Sequence, residues 1–527
     1  MAANLKELTK EIKNYGERTA FRFKSGKDNL RDVSYNEFTD VIQALGTALI
    51  SKGLKGKHIA VLSENRYEWI VSYLAVAGGT GTIVPIDRDL PEESIRYLLE
   101  YGDACAVLYS GTYEDIIKKT ELSKLEYCIC FDKKDGDDGK FLSYEKAVND
   151  GRSLIENGDT SFIDAEVSAD DVVCILFTSG TMGFSKGVML THKNITSNIY
   201  AATVYEKYGE HETMLSILPY HHAFECTVGI LASLAFGATI CINDSLKYFA
   251  KNMVVYKPTA MFAVPAVIEA MYKRVTDAET KAGKLIAKFA AKRAFGGRLA
   301  RIFSGSAPLK PEFITLFKRY GIRLCQGYGL SEASPVVATT DYNLLNEKNI
   351  GSVGQIIPGC EVKIVENEIM IKGDNVMLGY YKNPEVTAEV LEDGWLKTGD
   401  LGYLDEDGFL YISGRKKNVI IASGGENVYP EEIEQFLYGI PQITDAMVYG
   451  GDGGDKSAVT AVIYPNYGML GEKSDDEINK IIGAAIKRVN EQLPIYKQIL
   501  TMKIRKSPFE KTTSQKVKRN LNNTLEK

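Results

Sequence analysis

The chain has no CxxC motif, no internal repeat and no long low-complexity tract in its 527 residues. Its eight cysteines stand singly, at 105, 128, 130, 174, 226, 241, 325 and 360, and only Cys128 and Cys130 are near one another. Several lie in apolar runs, as Cys174 and Cys241 do. That argues against a disulfide frame or a thiolate zinc site and for reduced, buried thiols. Positive charge is not in excess. The net charge is −6, which speaks against a general nucleic-acid binder and leaves only local basic patches open. Residues 1–21 (MAANLKELTKEIKNYGERTAF) are amphipathic and of mixed charge, without the apolar core of a signal peptide. A cytoplasmic protein is expected. Long hydrophobic runs are missing save one, because residues 226–243 carry no charge over eighteen positions, the threshold for a membrane helix. That stretch contains Thr, Ser and two glycines, and Gly237-Ala238 interrupts it. It reads as a short buried helix to Phe236, a turn, and a strand over 238–242.

What is present is a large soluble-type composition, 45% apolar and 25% charged, with length for about three to four domains. Ser34-Tyr35-Asn36-Glu37 reads as a capping box, followed by Phe38, Val41, Ile42, Leu45 and Leu49 at helical spacing. Strands are predicted at 58–62, 82–85, 106–109 and 128–131, and helices around Trp69 and over 91–101. This alternation, resumed from Val172 to about Leu324, implies parallel sheets covered on both faces. From Gly351 the texture becomes hairpin-rich, with short strands at 362–365, 368–372 and 409–413 and a turn at Asp407-Gly408. Beyond Gly414 a separate α+β unit is expected. It holds a helix from Pro430, strands at 446–449 and 459–464, and an amphipathic helix at 474–493 with Ile478, Ile481, Ile482, Ala485, Ile486 and Val489 on one face.

Residues 177–187 (FTSGTMGFSKG) follow the apolar run 172–176 and precede the polar helix start at 191–194. The order reads as strand, loop, helix. Glycines allow close backbone approach, hydroxyls and N–H groups face an anion, and Lys186 adds a charge, which suits a polyphosphate. No Gly-Lys-Ser/Thr closes the loop, so it is not a Walker motif. Three further stretches narrow the ligand. At 303–309 (FSGSAPL), small residues after an apolar strand would let a flat base lie close. At 326–332 (QGYGLSE), Tyr328, Ser331 and the carboxylate of Glu332 fall within one turn. A carboxylate beside a phosphate loop is accounted for by Mg²⁺, which takes one or two carboxylates plus substrate phosphates. At 395–402 (WLKTGDLG), Asp400 sits in a glycine-flanked turn where it could accept two ribose hydroxyls. Taken singly, each stretch reads equally as an ordinary turn.

Together, TSGTMGFSKG, QGYGLSE, WLKTGDLG, GRKKN at 414–418 and EKTTSQKVKR at 510–519 resemble the ordered motifs of the adenylate-forming superfamily. The resemblance covers essentially the whole chain. It implies an α/β fold: two α/β subdomains and a small β-barrel subdomain over residues 1–416, then a small mobile α+β domain over 417–527. It also implies a two-step reaction, in which a carboxylate attacks the α-phosphate of ATP and a thiol then displaces AMP. By resemblance, Thr178, Ser179, Gly180, Thr181 and Lys186 would hold the β- and γ-phosphates. Gly305, Ser306, Ala307, Gly327 and Tyr328 would line the adenine slot, and Ser331 would touch phosphate. Glu332, with Thr181, would hold Mg²⁺. Asp400 and Arg415 would hold the ribose. Lys516 would bridge the substrate carboxylate and the α-phosphate. Met182, Ser185 and Gln515 depart from the commoner family residues at those places.

The segment 218–225 (LPYHHAFE) carries two of the chain's five histidines. The resemblance puts His222 beside the acyl carboxylate and makes Phe224, Cys226 and Gly229 part of an acyl pocket. Cys226 stands where some fatty acyl members carry a gating tryptophan. Lys417 matches the family hinge, and Gly424 and Gly425 match the loop beside the thiol channel. This segment, with 258–269 and 296–309, most resembles the long-chain fatty acyl ligases. The implied substrates are a fatty acid, ATP and coenzyme A, with an acyl carrier protein as the alternative acceptor and a non-catalytic paralogue as the alternative class. Residues 281–301 hold seven basic residues and no acidic one, with Leu285, Phe289 and Phe295 among them. This is either a solvated helix face or a docking surface for an anionic membrane or an acidic carrier protein, which would make the protein peripheral to the inner face of the membrane. The tail after Met502 has eight Lys/Arg against two Glu, suiting coenzyme A phosphates or an acidic carrier.

Overall fold

The computed structural model describes residues 1–26, 29–134, 136–178, 186–206, 209–422, 426–452, 455–512 and 517–519. Contacts divide the chain into two compact units. One is Met1–Glu361 with Ile371–Leu396, and the other is Val362–Met370 with Lys397–Lys527.

The first unit is built on two sheets of mixed α/β type. In one, Thr213–Ser216, Thr239–Ile242, Ala260–Ala263, Arg301–Ser304 and Arg323–Gly329 run parallel. Val336–Thr339 and Gln355–Ile356 extend one edge antiparallel, and Thr19–Lys24 with Leu30–Ser34 forms the other. In the second sheet the parallel strands are Gly81–Pro85, Lys57–Leu62, Ala104–Tyr109, Tyr127–Cys130 and Phe141–Ser143. Val172–Thr178 joins them in parallel beside Gly81–Pro85. The strands are near-continuously apolar because helices cover both faces. Residues 226–243 behave as the interrupted run predicts: helical turns Phe224–Leu231 and Ala232–Ala235, then strand Thr239–Ile242. Among the described residues no helix is long and apolar enough to cross a membrane.

Two local expectations are corrected. The stretch after Val172 is a hairpin, not strand–loop–helix. Lys186–Thr191 is itself a strand antiparallel to Val172–Thr178, with Thr178 opposite Lys186 and Phe177 opposite Gly187. Val188 and Leu190 are buried in the sheet, and only then does Thr191 cap helix His192–Ala201 through a reciprocal bond with Asn194. The alternation in this strand is too short to register beside a glycine-rich loop. At Ser34 only half the capping box forms. The Ser34 hydroxyl accepts from the Glu37 N–H at 3.1 Å, while the Glu37 carboxylate takes Arg31 at 2.6 Å instead.

In the second unit, Asp400 to Leu404 pairs antiparallel with Leu410–Arg415. The strands Ile443–Asp452, Asp455–Pro465 and Thr501–Ile504 form a sheet covered by helices Pro430–Tyr438 and Asp475–Asn490. Ile433, Leu437, Val448, Ala461, Ile463, Ile478, Ile482 and Ile486 make its core. Ser474 and Glu477 close a complete capping box at the start of the longer helix.

Candidate active site

The hairpin brings Thr178 and Lys186 side by side at its open end, because they are register partners. The loop they bracket, with Ser179, Gly180 and Thr181, lies outside the described residues. Gly379–Tyr380 adds a short antiparallel strand to the same edge, pairing Tyr380 with Val188. This places the Tyr380 ring under the Lys186 ammonium, 4.8 Å from ring centroid to Nζ. The Tyr380 hydroxyl donates to Glu332 Oε1 at 2.9 Å. Burial, then the Glu332 charge, raises the phenol well above its ordinary range, so it stays a donor. A cation, a phenol and a carboxylate are thus joined in one line. Tyr380 was not singled out from the sequence. Its only local signal is Gly379-Tyr380-Tyr381, and its role depends on strand pairing.

Glu332 lies in the short turn Ser331–Ala333, which connects strand Arg323–Gly329 to Val336–Thr339. The turn is tight. A Cβ on Gly329 would lie 1.8 Å from the Pro335 carbonyl oxygen, so this position requires glycine. The Met377 N–H donates to the Glu332 carbonyl at 2.9 Å and fixes the turn from outside. Among the described residues the Glu332 Oε2 atom takes no partner, and Ser331 and Glu332 are half-buried. Gly327 and Tyr328 occupy the strand leading into this turn.

Gly305, Ser306 and Ala307 follow the parallel strand Arg301–Ser304, and Ser306 takes a left-handed conformation, φ +72°. A Cβ on Gly305 would meet the Phe224 ring at 2.9 Å. The segment expected to line the adenine slot therefore touches the segment expected to line the acyl pocket. Phe224 in turn packs edge-on to Phe262 (5.3 Å), which stacks on Phe303 (4.9 Å). Phe224 begins a π-helical segment, Phe224–Leu231, in which Cys226 and Gly229 are buried. A wide turn of this kind often marks a functional site. Inside it, the Glu225 carboxyl is fully buried and accepts from the Ser216 hydroxyl at 2.5 Å. Its other oxygen, Oε2, lies against Gly229, where a Cβ would approach to 2.9 Å. Burial pushes this carboxyl up to about 8 against the pull of Ser216.

His222 lies just before the same segment, whose N-cap is Ala223, and its carbonyl accepts from the Cys226 N–H at 3.0 Å. The His221 ring lies 4.5 Å from the His222 ring, and its Nε2 is 3.3 Å from Asp87 Oδ1. Burial alone would raise the Asp87 carboxyl. The hydrogen bond and charge of His221, with the Asp89 N–H, outweigh burial and hold it at about 2. Asp87 follows strand Gly81–Pro85 and carries no sequence signal of its own.

In the second unit, Asp400 and Arg415 are cross-strand partners joined by Arg415 Nε to Asp400 Oδ1 at 2.5 Å. The Asp400 carboxylate is nearly buried and lies inside strand Trp395–Leu404, not in the expected glycine-flanked turn: Gly399 takes φ +69° within the strand, Thr398 Oγ1 accepts from the Asp400 N–H, and pairing with Leu410–Arg415 keeps the segment extended. Lys417 lies in the turn Lys416–Asn418. Burial, then the charges of Arg415 and Arg519, lowers its ammonium. Gly424, Gly425 and Lys516 lie outside the described residues. On either side of residues 513–516, which lie outside the described residues, Lys511 and Arg519 are tied down. Lys511 pairs with Asp445 at 2.9 Å and bridges antiparallel to Val517. Arg519 donates to both oxygens of Glu434 at 2.6 Å and to the Val448 carbonyl at 2.7 Å.

The AMP-binding enzyme family matches residues 8–381, and the AMP-binding enzyme C-terminal domain matches residues 417–524. The chain is 31% identical to the long-chain-fatty-acid–CoA ligase FadD15 of Mycobacterium bovis over 458 residues, 80% of this chain and 75% of that protein. It is 30% identical to fatty acyl-CoA synthetase B of Dictyostelium discoideum over 545 residues, 90% of this chain and 79% of that protein. It is 31% identical to a long-chain-fatty-acid–CoA ligase of Bacillus subtilis over 487 residues, 84% and 82% of the two chains. Among solved structures, the anthranilate CoA ligase AuaEII in complex with anthranoyl-AMP superposes with a TM-score of 0.82 at 18% identity, covering 98% and 97% of the chains. ATP-bound MatB from Rhodopseudomonas palustris superposes with a TM-score of 0.79 at 24% identity, covering 99% of each. The two structural likenesses establish the fold, and with the family match over most of its length the chain belongs to the AMP-binding enzymes.

Proposed function

We propose that this chain is an acid–thiol ligase that activates a medium- or long-chain fatty acid with ATP and transfers the acyl group to coenzyme A. The observation that carries the substrate class is the identity of about 30% to fatty acid–CoA ligases over four-fifths of the chain or more. In the first step a carboxylate oxygen of the acid attacks the α-phosphorus, the bond to the β-phosphate breaks, and pyrophosphate leaves. Both partners are anions, so the protein's task is charge neutralisation and positioning. In the second step the thiol sulfur attacks the acyl carbon, AMP leaves, and the thiol proton passes to solvent.

The proposed roles follow. Thr178, Ser179, Gly180, Thr181 and Lys186 hold the departing phosphates, with Tyr380 keeping Lys186 in place. Gly305, Ser306, Ala307, Gly327 and Tyr328 receive the adenine, Ser331 a phosphate, and Asp400 with Arg415 the ribose. Glu332 and Thr181 hold Mg²⁺. A lone carboxylate with one oxygen anchored by Tyr380 and the other unclaimed fits an ion that takes few protein ligands beside phosphates. When bound, Mg²⁺ supplies charge neutralisation at the phosphates. Phe224, Cys226 and Gly229 line the acyl pocket, His222 stands beside the acyl carboxylate, and Lys516 bridges that carboxylate and the α-phosphate. The functional domains are 1–416 and 417–527, with Lys417 as hinge and Gly424-Gly425 beside the thiol channel. The small domain turns between the two steps.

AMP release with oleate, measured with coenzyme A and separately with holo-acyl carrier protein, tests the assignment. Thioester with coenzyme A is expected. Thioester only with the carrier protein would reassign the acceptor, and no adenylate with any acid in a graded series would overturn the reading. Lys516→Ala should abolish most adenylate formation. An unchanged rate would sink the proposed first step.

A further inference from the structure

The helix Lys284–Ala294 (KLIAKFAAKRA) is held to the body of the first unit by very little. Only Ala287 and Ala291 are buried. At 3.6 residues per turn, Leu285 and Phe289 point directly away from that alanine face. Lys288 and Lys292 flank them on one side, Ile286 and Arg293 on the other. The outward side chains are open to solvent: Leu285 is 72% exposed, Ile286 62% and Phe289 70%. Three large apolar groups projecting from two turns of one helix have no folding role. Among the described residues no carboxylate pairs with Lys284, Lys288, Lys292 or Arg293, so the whole outer face carries one sign of charge around an apolar crest. Arg301 and Phe295, which the sequence groups with this run, are accounted for otherwise. Arg301 pairs with Glu212, and Phe295 is buried.

From this face we infer that helix Lys284–Ala294 docks the protein on an anionic lipid bilayer, with Leu285, Ile286 and Phe289 entering the headgroup–acyl boundary and the flanking cations meeting lipid phosphates. Charge complementarity and the shape of the crest favour this occupant. An apolar ridge rimmed by Lys and Arg is the signature of an interfacial helix, and each cation near an anionic surface adds to the attraction. An acidic protein helix would satisfy the lysines but would leave the protruding Leu285 and Phe289 without an apolar cleft. The inference deepens the proposed function, because fatty acids partition into bilayers and docking would bring the enzyme to its substrate. The contact itself does not depend on that activity.

Sedimentation of the full-length protein with vesicles tests it, using phosphatidylcholine alone and phosphatidylcholine mixed with phosphatidylglycerol. The wild-type chain should bind the anionic vesicles about tenfold or more tighter than the neutral ones, and less tightly as salt rises. Leu285→Ser with Phe289→Ser, and separately Lys288→Glu with Lys292→Glu, should each lower that binding by about tenfold or more. Both should leave the melting temperature and the turnover of a short, water-soluble acid unchanged. A Phe289→Trp reporter should shift its emission to the blue on adding anionic vesicles. No binding to anionic vesicles, binding indifferent to both double variants, or capture of an acidic carrier protein through these residues without lipid binding would each overturn the inference. Loss of vesicle binding with intact acyl-CoA synthesis, or the reverse, separates this surface from the proposed reaction.

Discussion

Asp87 Oδ1 lies 3.3 Å from His221 Nε2, and the His221 ring in turn lies 4.5 Å from that of His222. A carboxylate held at about 2 stays ionised throughout the working range and can fix the orientation of the histidine pair. Asp87→Asn should lower kcat about tenfold, roughly 1.4 kcal/mol, with little change in KM for ATP. The stability term has a definite sign. The folded carboxyl titrates below its unfolded value, so the stabilisation is present above about pH 4 and is lost as pH falls toward 2. Acid unfolding of the two proteins should therefore converge at low pH.

Glu225 behaves in the opposite sense. Its carboxyl is raised to about 8 by burial, so the folded state prefers it protonated while the unfolded chain ionises it near the ordinary value. Stability should fall as pH rises from about 4.5 to 8, by at most about 1.4 kcal/mol per pH unit. Glu225→Gln keeps the shape and removes the titration. Its melting temperature should gain on that of the wild type as pH is raised from 5 to 8. A difference independent of pH would contradict the assignment.

Tyr380 touches both Lys186 and Glu332, and two substitutions separate the contacts. Tyr380→Phe keeps the ring under the ammonium and removes the bond to the carboxylate. It should raise the Mg²⁺ concentration needed for half-maximal rate about tenfold or more, in line with the roughly 1.5–3 kcal/mol of a bond to a charged group. Tyr380→Ala removes both contacts and should also raise KM for ATP. Titrations of each variant with Mg²⁺ and ATP distinguish the two effects.

Arg519 anchors the segment that follows Lys516 to Glu434 and Val448. Arg519→Ala should slow pyrophosphate exchange, which reports adenylate formation, by about tenfold or more, a loss of ~1.4 kcal/mol or more from a charge-assisted pair. Transfer from preformed acyl-adenylate to coenzyme A should change much less, because the role proposed for Lys516 belongs to the first step. Arg519→Lys should recover part of the loss. Equal loss in both steps would point to general destabilisation of the second unit.

Much of this was legible without the structure. Helix and strand positions such as 91–101, 446–449 and 474–493 follow from apolar periodicity and caps, which are local. The stretches proposed for the site, at 177–187, 326–332 and 395–402, stood out only together, by their residue types and their order along the chain. The strand at Lys186–Thr191 was missed because its pairing with Val172–Thr178, not its composition, makes it a strand.

By itself the sequence determined the order of the motifs, the α/β alternation and the α+β character of the C-terminal part, since each depends on neighbours a few residues apart. Tertiary structure alone decided that Tyr380 joins Lys186 to Glu332, that Asp87 reaches His221, and that Gly305 closes on Phe224. It also decided that Leu285 and Phe289 face outward while Phe295 is buried. These are facts of strand register and burial. They depend on which distant segments share an edge or a face, and no local pattern of residues encodes that choice.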